Sequence, residues 1–272
     1  MTATEPYLAG DTAVPLTTPA RSSPWQKPFL RIGHAGASAY APANTLESFE
    51  RALELGVDIV EFDVRRCRDA LVLLHDDRVG EDERWVSELA LDEIRAIKAR
   101  QGQRVATLGE AVDLLKGRSL LNVDLKAGGI EVQVIDALRR KGILADAMIS
   151  SLDPQALREV RRLDPAVTTA ISYPEDRGAA STRPYLRPIV TVVLALMRAT
   201  MPYRVIGLMA SAEADAAMLY HKVAARVTAE RVHAAGKRIF VWTVDDLTTL
   251  RRLHSYGVDG VASNRPDIFA QM

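Results

Sequence analysis

Short apolar runs alternate with amphipathic stretches along the chain from Leu30 to its end. Apolar runs of about four to eight residues are typical of buried strands, whereas apolar residues spaced three and four apart are typical of a helix face. The pattern predicts strands at residues 32–34, 57–64, 71–75, 119–125, 147–150, 167–171, 205–208, 216–220, 238–244 and 258–262. It predicts helices at residues 45–55, 89–97, 108–115, 130–141, 153–163, 228–235 and 246–256.

Regular alternation of strands and helices favours a mostly parallel sheet. No linker or change of composition divides the chain after Leu30, so we predict an α/β fold of one domain, a (β/α)8 TIM barrel over residues 29–272. A barrel takes eight strands and the pattern gives about ten, so one or two must lie outside it or be wrong. An open doubly wound sheet is the alternative, but it needs a glycine-rich phosphate loop whose spacing Gly33 and Gly36 lack.

Composition narrows the class of protein. The 35 basic and 35 acidic side chains give zero formal net charge, which argues against nucleic acid as a partner and against a general attraction to anionic membranes. A single cysteine, Cys67, excludes an intramolecular disulfide and favours a reducing compartment. We therefore expect a cytoplasmic protein.

Two segments bear on membranes and targeting. Residues 1–28 contain five prolines and no apolar core of the signal-peptide type, so they are predicted to be a flexible arm. The longest apolar run, residues 189–197, is shorter than the ~20 residues that span a bilayer, so no transmembrane segment is predicted. The run fits one side of an outer barrel helix, or an interfacial lip that contacts lipid at the membrane surface.

Acidic residues interrupt two strands that should otherwise be apolar. Glu61 and Asp63 lie two apart in one strand, and Asp124 and Lys126 lie two apart in another, so each pair shares a face. In a barrel these faces converge at the C-terminal ends of the strands, where barrel active sites lie. Three adjacent carboxylates repel unless a cation binds them, and oxygen ligands favour Mg²⁺ or Ca²⁺.

Histidines end two further strands. His34 and His75 have the chemistry of a general acid and a general base near neutral pH. Lys126 beside a metal indicates an anionic substrate, with phosphate the first candidate. Taken singly, any of these residues could be a strand-end ion pair or a core histidine; the combination is much harder to explain structurally.

Several ordered motifs resemble the glycerophosphodiester phosphodiesterase family. They are GHAGAS at residues 33–38, APANTL at 41–46, EFDV at 61–64, HDD at 75–77, NVDLK at 122–126, SSLD at 150–153, VWTVD at 241–245, VDGV at 258–261 and NRPD at 264–267. The resemblance implies a TIM barrel that hydrolyses glycerophosphodiesters to glycerol 3-phosphate and an alcohol. It also implies acid–base roles for His34 and His75 and a divalent cation held by Glu61, Asp63 and Asp124.

The resemblance further implies that Lys126 contacts phosphate and that Trp242 forms an apolar wall for the glycerol or head group. Three positions depart from the family pattern: Ala35 stands where an arginine is usual, Ala43 where a glutamate is usual, and Asp124 where the third metal ligand is usually a glutamate. Arg65 shares a face with Asp63, and we expect it to replace part of the missing guanidinium.

Two alternatives remain open from the sequence. The first is a lysophospholipase D acting on lysophospholipids, in which the apolar helix around residues 189–197 lines an acyl-chain groove. The second, motivated by Ala35, is a catalytically weakened barrel that only binds a phosphorylated ligand.

Overall fold

The computed structural model describes residue 25, residues 27–175 and residues 183–272. Eight parallel strands form a closed barrel, because the first strand pairs with both the second and the last. They are β1 (Leu30–Gly33), β2 (Ile59–Arg66), β3 (Leu120–Leu125), β4 (Ala147–Ser151), β5 (Thr168–Tyr173), β6 (Ala216–Tyr220), β7 (Arg238–Trp242) and β8 (Gly260–Ser263). The predicted single-domain TIM barrel is confirmed.

Most of the described helices cover the outside of the barrel, whereas the helix Leu91–Arg100 packs through Ile94 in a small separate apolar core. The helices are α1 (Leu46–Glu54), α2 (Leu91–Arg100), α3 (Leu108–Leu115), α4 (Glu131–Lys141), α5 (Pro154–Leu163), α6 (Arg187–Ser211), α7 (Arg226–Ala234) and α8 (Leu247–Ser255), with a closing 3₁₀ helix at Pro266–Gln271. Local signals fix their ends: the Thr45 hydroxyl accepts a hydrogen bond from the Ser48 N–H, and Asp153 caps the helix that begins with Pro154. The main hydrophobic core lies between these helices and the strands.

Side chains that alternate along the strands fill the barrel interior. Toward the N-terminal ends of the strands the interior is apolar, with Leu30, Ile59, Met148 and Phe240 packed together. Toward the C-terminal ends, the same faces of β2, β3 and β4 carry buried polar side chains, among them Glu61, Asp124 and Ser150. Glu61 and Asp63 on β2 therefore share a face, as predicted, and this face and that of Asp124 on β3 point into the barrel.

The two surplus strand predictions have different explanations. Residues 71–75 contribute a real strand, Leu71–Leu73, but it pairs antiparallel with β2 outside the barrel. It belongs to an insertion with the small hairpin Arg78–Val79 and Arg84–Trp85 and its own small apolar core. Residues 205–208 are not a strand but part of α6, so that prediction is wrong. When a helix is apolar on two sides, a short stretch of it shows no helical spacing of apolar residues. Such a stretch cannot be distinguished from a buried strand by its pattern.

Helix α6 is much longer than the apolar run that predicted it. It has 25 residues, while the other barrel helices have 8 to 11. Among the described residues one helix, Pro184–Ser211 with its leading 3₁₀ turn, is long and apolar enough to cross a membrane by length and composition. The shortness of the apolar run 189–197 therefore does not by itself exclude a membrane-spanning helix. The second half of α6, however, packs on the barrel through Met201, Val205 and Met209.

Most of the predicted arm, residues 1–24 and 26, lies outside the described residues. Trp25 and Lys27 contact the N-terminal end of the barrel. The Trp25 indole N–H donates to the Ala145 carbonyl at 3.2 Å, and Lys27 pairs with Asp58 at 2.6 Å.

Candidate active site

Residues predicted for the site gather at the C-terminal ends of β1, β2, β3 and β7. Asp63 on β2 lies directly opposite Asp124 on β3 in the parallel register, and Glu61 lies one inward position below Asp63. All three carboxylates are nearly buried. The barrel thus brings together the acids that the sequence assigned to a metal.

Lys126 lies between the two aspartates. Its ammonium is 3.0 Å from Asp63 Oδ1 and 2.6 Å from Asp124 Oδ2. Burial lowers the pKa of Lys126, but the charges of Asp124 and Asp63 outweigh burial and hold this pKa above its ordinary value. The second oxygen of Asp124 accepts a 2.5 Å hydrogen bond from the Ser150 hydroxyl. Lys126 is therefore an ammonium that pairs with two aspartates and offsets one of their two negative charges.

Glu61 is held by the loop that follows β1. The Ala35 N–H donates to Glu61 Oε2 at 2.7 Å. Ala35 adopts a positive φ of 48°, which turns the chain back toward β2, and its side chain is buried. Burial, then the neighbouring charge of Asp63, raises the pKa of Glu61 above its ordinary value. The main-chain N–H of residue 35 thus orients an acid, and the alanine side chain supplies no guanidinium.

Asn44 fixes Asp63 from the other side. Its amide donates to Asp63 Oδ2 at 2.7 Å, and its side-chain oxygen accepts from the Asp63 N–H at 2.9 Å. Asn44 lies in the left-handed region at φ 61°, a conformation that asparagine tolerates better than most residues. Burial raises the pKa of Asp63, but Lys126, His75, Asn44 and His34 together lower it below the usual range.

His34 is oriented by a chain of polar groups from the end of β8. Asp245 accepts from the Asn264 amide at 2.7 Å, so the Asn264 oxygen faces His34 Nδ1, also at 2.7 Å. Nδ1 then carries the proton and Nε2 remains for a substrate. Burial lowers the pKa of His34, but the charges of Glu61 and Asp63 and the Asn264 hydrogen bond raise it above its ordinary value.

His75 and Arg65 form the exposed side of the site. His75 Nδ1 lies 2.8 Å from Asp76, and the ring is largely exposed. Arg65 donates from Nε to the His75 carbonyl at 2.9 Å and from Nη1 to the Lys126 carbonyl at 3.0 Å. The predicted substitute guanidinium therefore ties together the segments that carry a histidine and the lysine.

Trp242 lies at the opposite side of the mouth. Its indole N–H donates to the Met218 carbonyl at 3.1 Å, and its ring packs 5.5 Å from that of Tyr220. The fixed, partly exposed ring is suited to an apolar wall. His221 follows Tyr220, and its buried Nδ1 makes no hydrogen bond with any described residue.

The chemistry of the acidic donors fits a hard divalent cation. In the described part of the chain no group of three His, Cys, Asp or Glu side chains is converged for a metal. The arrangement is a lysine inserted between two aspartates, with Glu61 beside them. Glu61, Asp63 and Asp124 offer oxygen only, which suits Mg²⁺ or Ca²⁺, and lysine is flexible enough to move from between the aspartates.

Four supporting residues were not among the predicted site residues. Asn44, Ser150, Asp245 and Asn264 hold Asp63, Asp124 or His34 in place. Each occurs within one of the motifs quoted above, and that was the available signal. Their contacts join positions up to 230 residues apart, so the sequence pattern alone does not pair them.

Comparison with known proteins identifies the family to which the chain is similar. The model of the glycerophosphoryl diester phosphodiesterase family matches residues 34–268. A glycerophosphodiester phosphodiesterase of Caldanaerobacter subterraneus is 28% identical, covering 88% of this chain and 95% of that protein. One from Bacillus subtilis is 24% identical, covering 88% of this chain and 85% of the other.

Solved structures share the barrel. A phosphodiesterase of Oleispira antarctica, in complex with the product sn-glycerol-3-phosphate, superimposes with a TM-score of 0.69 at 21% identity, over 89% of this chain and 95% of that one. A glycerophosphodiester phosphodiesterase of Thermotoga maritima gives a TM-score of 0.69 at 19% identity, over 89% and 97% of the two chains.

Proposed function

The chain belongs to the glycerophosphoryl diester phosphodiesterase family and is a phosphoric diester hydrolase, and we propose that it cleaves glycerophosphodiesters to glycerol 3-phosphate and an alcohol with a divalent cation and two histidines. One observation carries the proposal. The barrel gathers three carboxylates, a lysine and an oriented histidine at the C-terminal ends of its strands, and these groups are suited to bind a cation and a phosphate and to transfer a proton.

In the proposed reaction His34 and His75 share the proton transfers. His34 keeps its Nδ1 proton on Asn264, so Nε2 is the atom that takes or gives a proton at the phosphate. His75 supplies the second transfer. The nucleophile is water, or the substrate's own glycerol hydroxyl, whose attack would give a cyclic phosphate that water then opens to glycerol 3-phosphate. In either case one histidine takes the proton of the nucleophile and the other protonates the leaving alcohol oxygen.

The acids and the lysine handle the charge of the phosphate. Glu61, Asp63 and Asp124 would hold Mg²⁺ or Ca²⁺, which when bound neutralises charge on a phosphate oxygen. Lys126, released from between the aspartates, would then contact the phosphate, and Trp242 would pack against the glycerol or head group. Arg65 keeps the His75 and Lys126 segments together and has further N–H groups for the phosphate.

The test is release of glycerol 3-phosphate from glycerophosphocholine, measured over a panel of divalent ions and after chelation. We expect turnover that depends on Mg²⁺ or Ca²⁺ and falls by about 10²–10⁴-fold in His34→Ala. His233→Ala is the matched control, because His233 pairs with Asp259 away from the site. Absence of turnover with every ion and several diesters would refute the proposal. A chain that binds glycerol 3-phosphate without hydrolysis would favour the weakened barrel.

A second candidate, hydrolysis of lysophospholipids as a lysophospholipase D, has its own support. The first half of α6, the helix that follows β5 in the chain, exposes large apolar side chains that include Ile189 and Leu196. An acyl chain of a lysophospholipid could pack there. Comparing turnover of lysophosphatidylcholine with that of glycerophosphocholine separates the two substrates.

A further inference from the structure

Helix α6 has two halves with different surroundings. The second half packs on the barrel, and its first buried side chain is Met201. From residue 183 to residue 200 no side chain is buried, although this stretch is strongly apolar. The first half of α6, residues 187–200, therefore presents apolar surface that the described residues do not cover.

Contacts with neighbouring elements show where the first half of α6 lies. Arg198 donates to the Tyr256 hydroxyl at 3.2 Å, and Arg226, the first residue of α7, stacks on the same ring. Arg204 donates to the hydroxyl of Tyr173, the last residue of β5, at 3.3 Å. At 1.5 Å per residue, the eleven residues from 187 to 197 continue about 16 Å beyond the start of α7. They project from the end of the barrel that holds the active site.

One face of this projection is apolar. Ile189, Val192, Val193 and Leu196 have the spacing i, i+3, i+4 and i+7, which places them on one side of the helix. Their exposed fractions are 60%, 69%, 41% and 64%. The opposite side, through Leu194 and Met197, packs against the core. A contiguous apolar patch of this kind, left uncovered by the described residues, marks an interaction site.

Charge indicates the occupant. Between residues 183 and 212 the chain has four arginines, Arg183, Arg187, Arg198 and Arg204, and no aspartate or glutamate. The stretch therefore has a net charge of +4, which complements anionic lipid headgroups, and two of its arginines, Arg183 and Arg187, lie at its projecting end. A second copy of the chain would carry the same net positive charge and repel it. The neutral total charge conceals this local basic segment.

We propose that the outer face of residues 187–200 binds the surface of an anionic phospholipid bilayer and brings the rim of the barrel mouth beside the headgroups. The helix lies in the interface and does not cross the bilayer, because Met201, Val205 and Met209 fix its second half on the barrel. Membrane binding of this kind does not depend on catalysis, so it stands or falls separately from the proposed hydrolysis.

The test is sedimentation of the full chain with vesicles of phosphatidylcholine alone or mixed with phosphatidylglycerol. We expect binding to the mixed vesicles that is at least about tenfold stronger than to phosphatidylcholine alone and that weakens with salt. The double variant Val192→Glu with Leu196→Glu should lose about a hundredfold in partitioning, since two apolar side chains no longer enter the interface.

Val132→Glu is the matched control, because Val132 is 48% exposed on α4 and takes the same substitution. Leu196→Trp provides a second readout that preserves the apolar face: its fluorescence should shift to the blue with mixed vesicles. Wild-type chain that stays in the supernatant with both vesicle types, or unchanged binding by the double variant, would overturn the proposal. So would a dimer of wild type that the double variant dissociates without any vesicle binding.

Discussion

Arg65 provides the most direct test of how the site is held. Its guanidinium donates to the carbonyls of His75 and Lys126, 2.9 and 3.0 Å away, and so connects the exposed histidine to the strand end that carries the lysine. The informative variants are Arg65→Met, which removes both hydrogen bonds, and Arg65→Lys, whose single ammonium cannot reproduce the planar fork.

The expected magnitude follows from these contacts. Hydrogen bonds from a charged donor contribute about 1.5–3 kcal/mol each when enclosed, but these carbonyls can be rehydrated because the contact is partly exposed. We therefore expect Arg65→Met to lower the free energy of unfolding by about 2 kcal/mol. Displacement of His75 should lower kcat by about 10–100-fold, since misplacement of about 1 Å has that effect.

The assay combines urea unfolding with separate measurement of kcat and KM for glycerophosphocholine. A fall in kcat with little change in KM supports a positioning role, whereas a large rise in KM that Arg65→Lys partly reverses supports direct contact with the phosphate. Arg66→Met is the matched control, because Arg66 is the next residue of the same strand and is exposed. Wild-type stability and activity in Arg65→Met would refute the reasoning.

Three further predictions concern charge and packing. In the presence of a chelator, Lys126→Met should lower the free energy of unfolding by about 3–5 kcal/mol, because it breaks a buried ion pair. Millimolar Mg²⁺ or Ca²⁺ should restore the stability, and a variant that responds to neither ion would contradict the cation site. Burial raises the pKa of Asp58, but the contacts with Arg31 and Lys27 lower it to about 2. At pH values above its ordinary pKa of 3.8, Asp58 should therefore contribute about 2 kcal/mol to the free energy of unfolding. In urea unfolding the loss in Asp58→Asn should therefore shrink as pH falls from 4 toward 2, while the exposed Asp113→Asn should cost under about 0.5 kcal/mol at any pH. Gly36→Ala places a Cβ 2.2 Å from Ser48 Oγ at φ +85° and should destabilise by about 3 kcal/mol, whereas Gly129→Ala, at φ +77° in open space, should cost about 1 kcal/mol by the same measurement.

Strand periodicity predicted the faces of the site well. Residues two apart on a strand share a side, so Glu61 with Asp63 and Asp124 with Lys126 followed from position alone. The register between β2 and β3, which sets Asp63 opposite Asp124, depends on packing across the whole barrel. A local pattern carries no information about such a register.

Other features could not be read from single elements. The Asn264 contact that orients His34 joins the two ends of the chain, and it exists only because β8 closes against β1. The apolar run ends at Met197, whereas helix α6 continues through Pro202, whose ring the helix accommodates, so the run is much shorter than the helix. Residues 205–208, separated from the run by Pro202, resemble a strand when considered alone.

The balance of charge in the site favours a cation as an integral part of phosphate binding. One ammonium, Lys126, faces three carboxylates, and the two donors of Arg65 described above are occupied by carbonyls. A phosphodiester adds a further negative charge, and at position 35 the alanine contributes a main-chain N–H to Glu61 and no guanidinium. Without a cation, substrate entry would therefore increase an excess of negative charge in a nearly buried pocket. A divalent ion would offset the two excess negative charges and would free Lys126 for the phosphate, so binding of the ion and binding of the substrate should strengthen each other by the same factor.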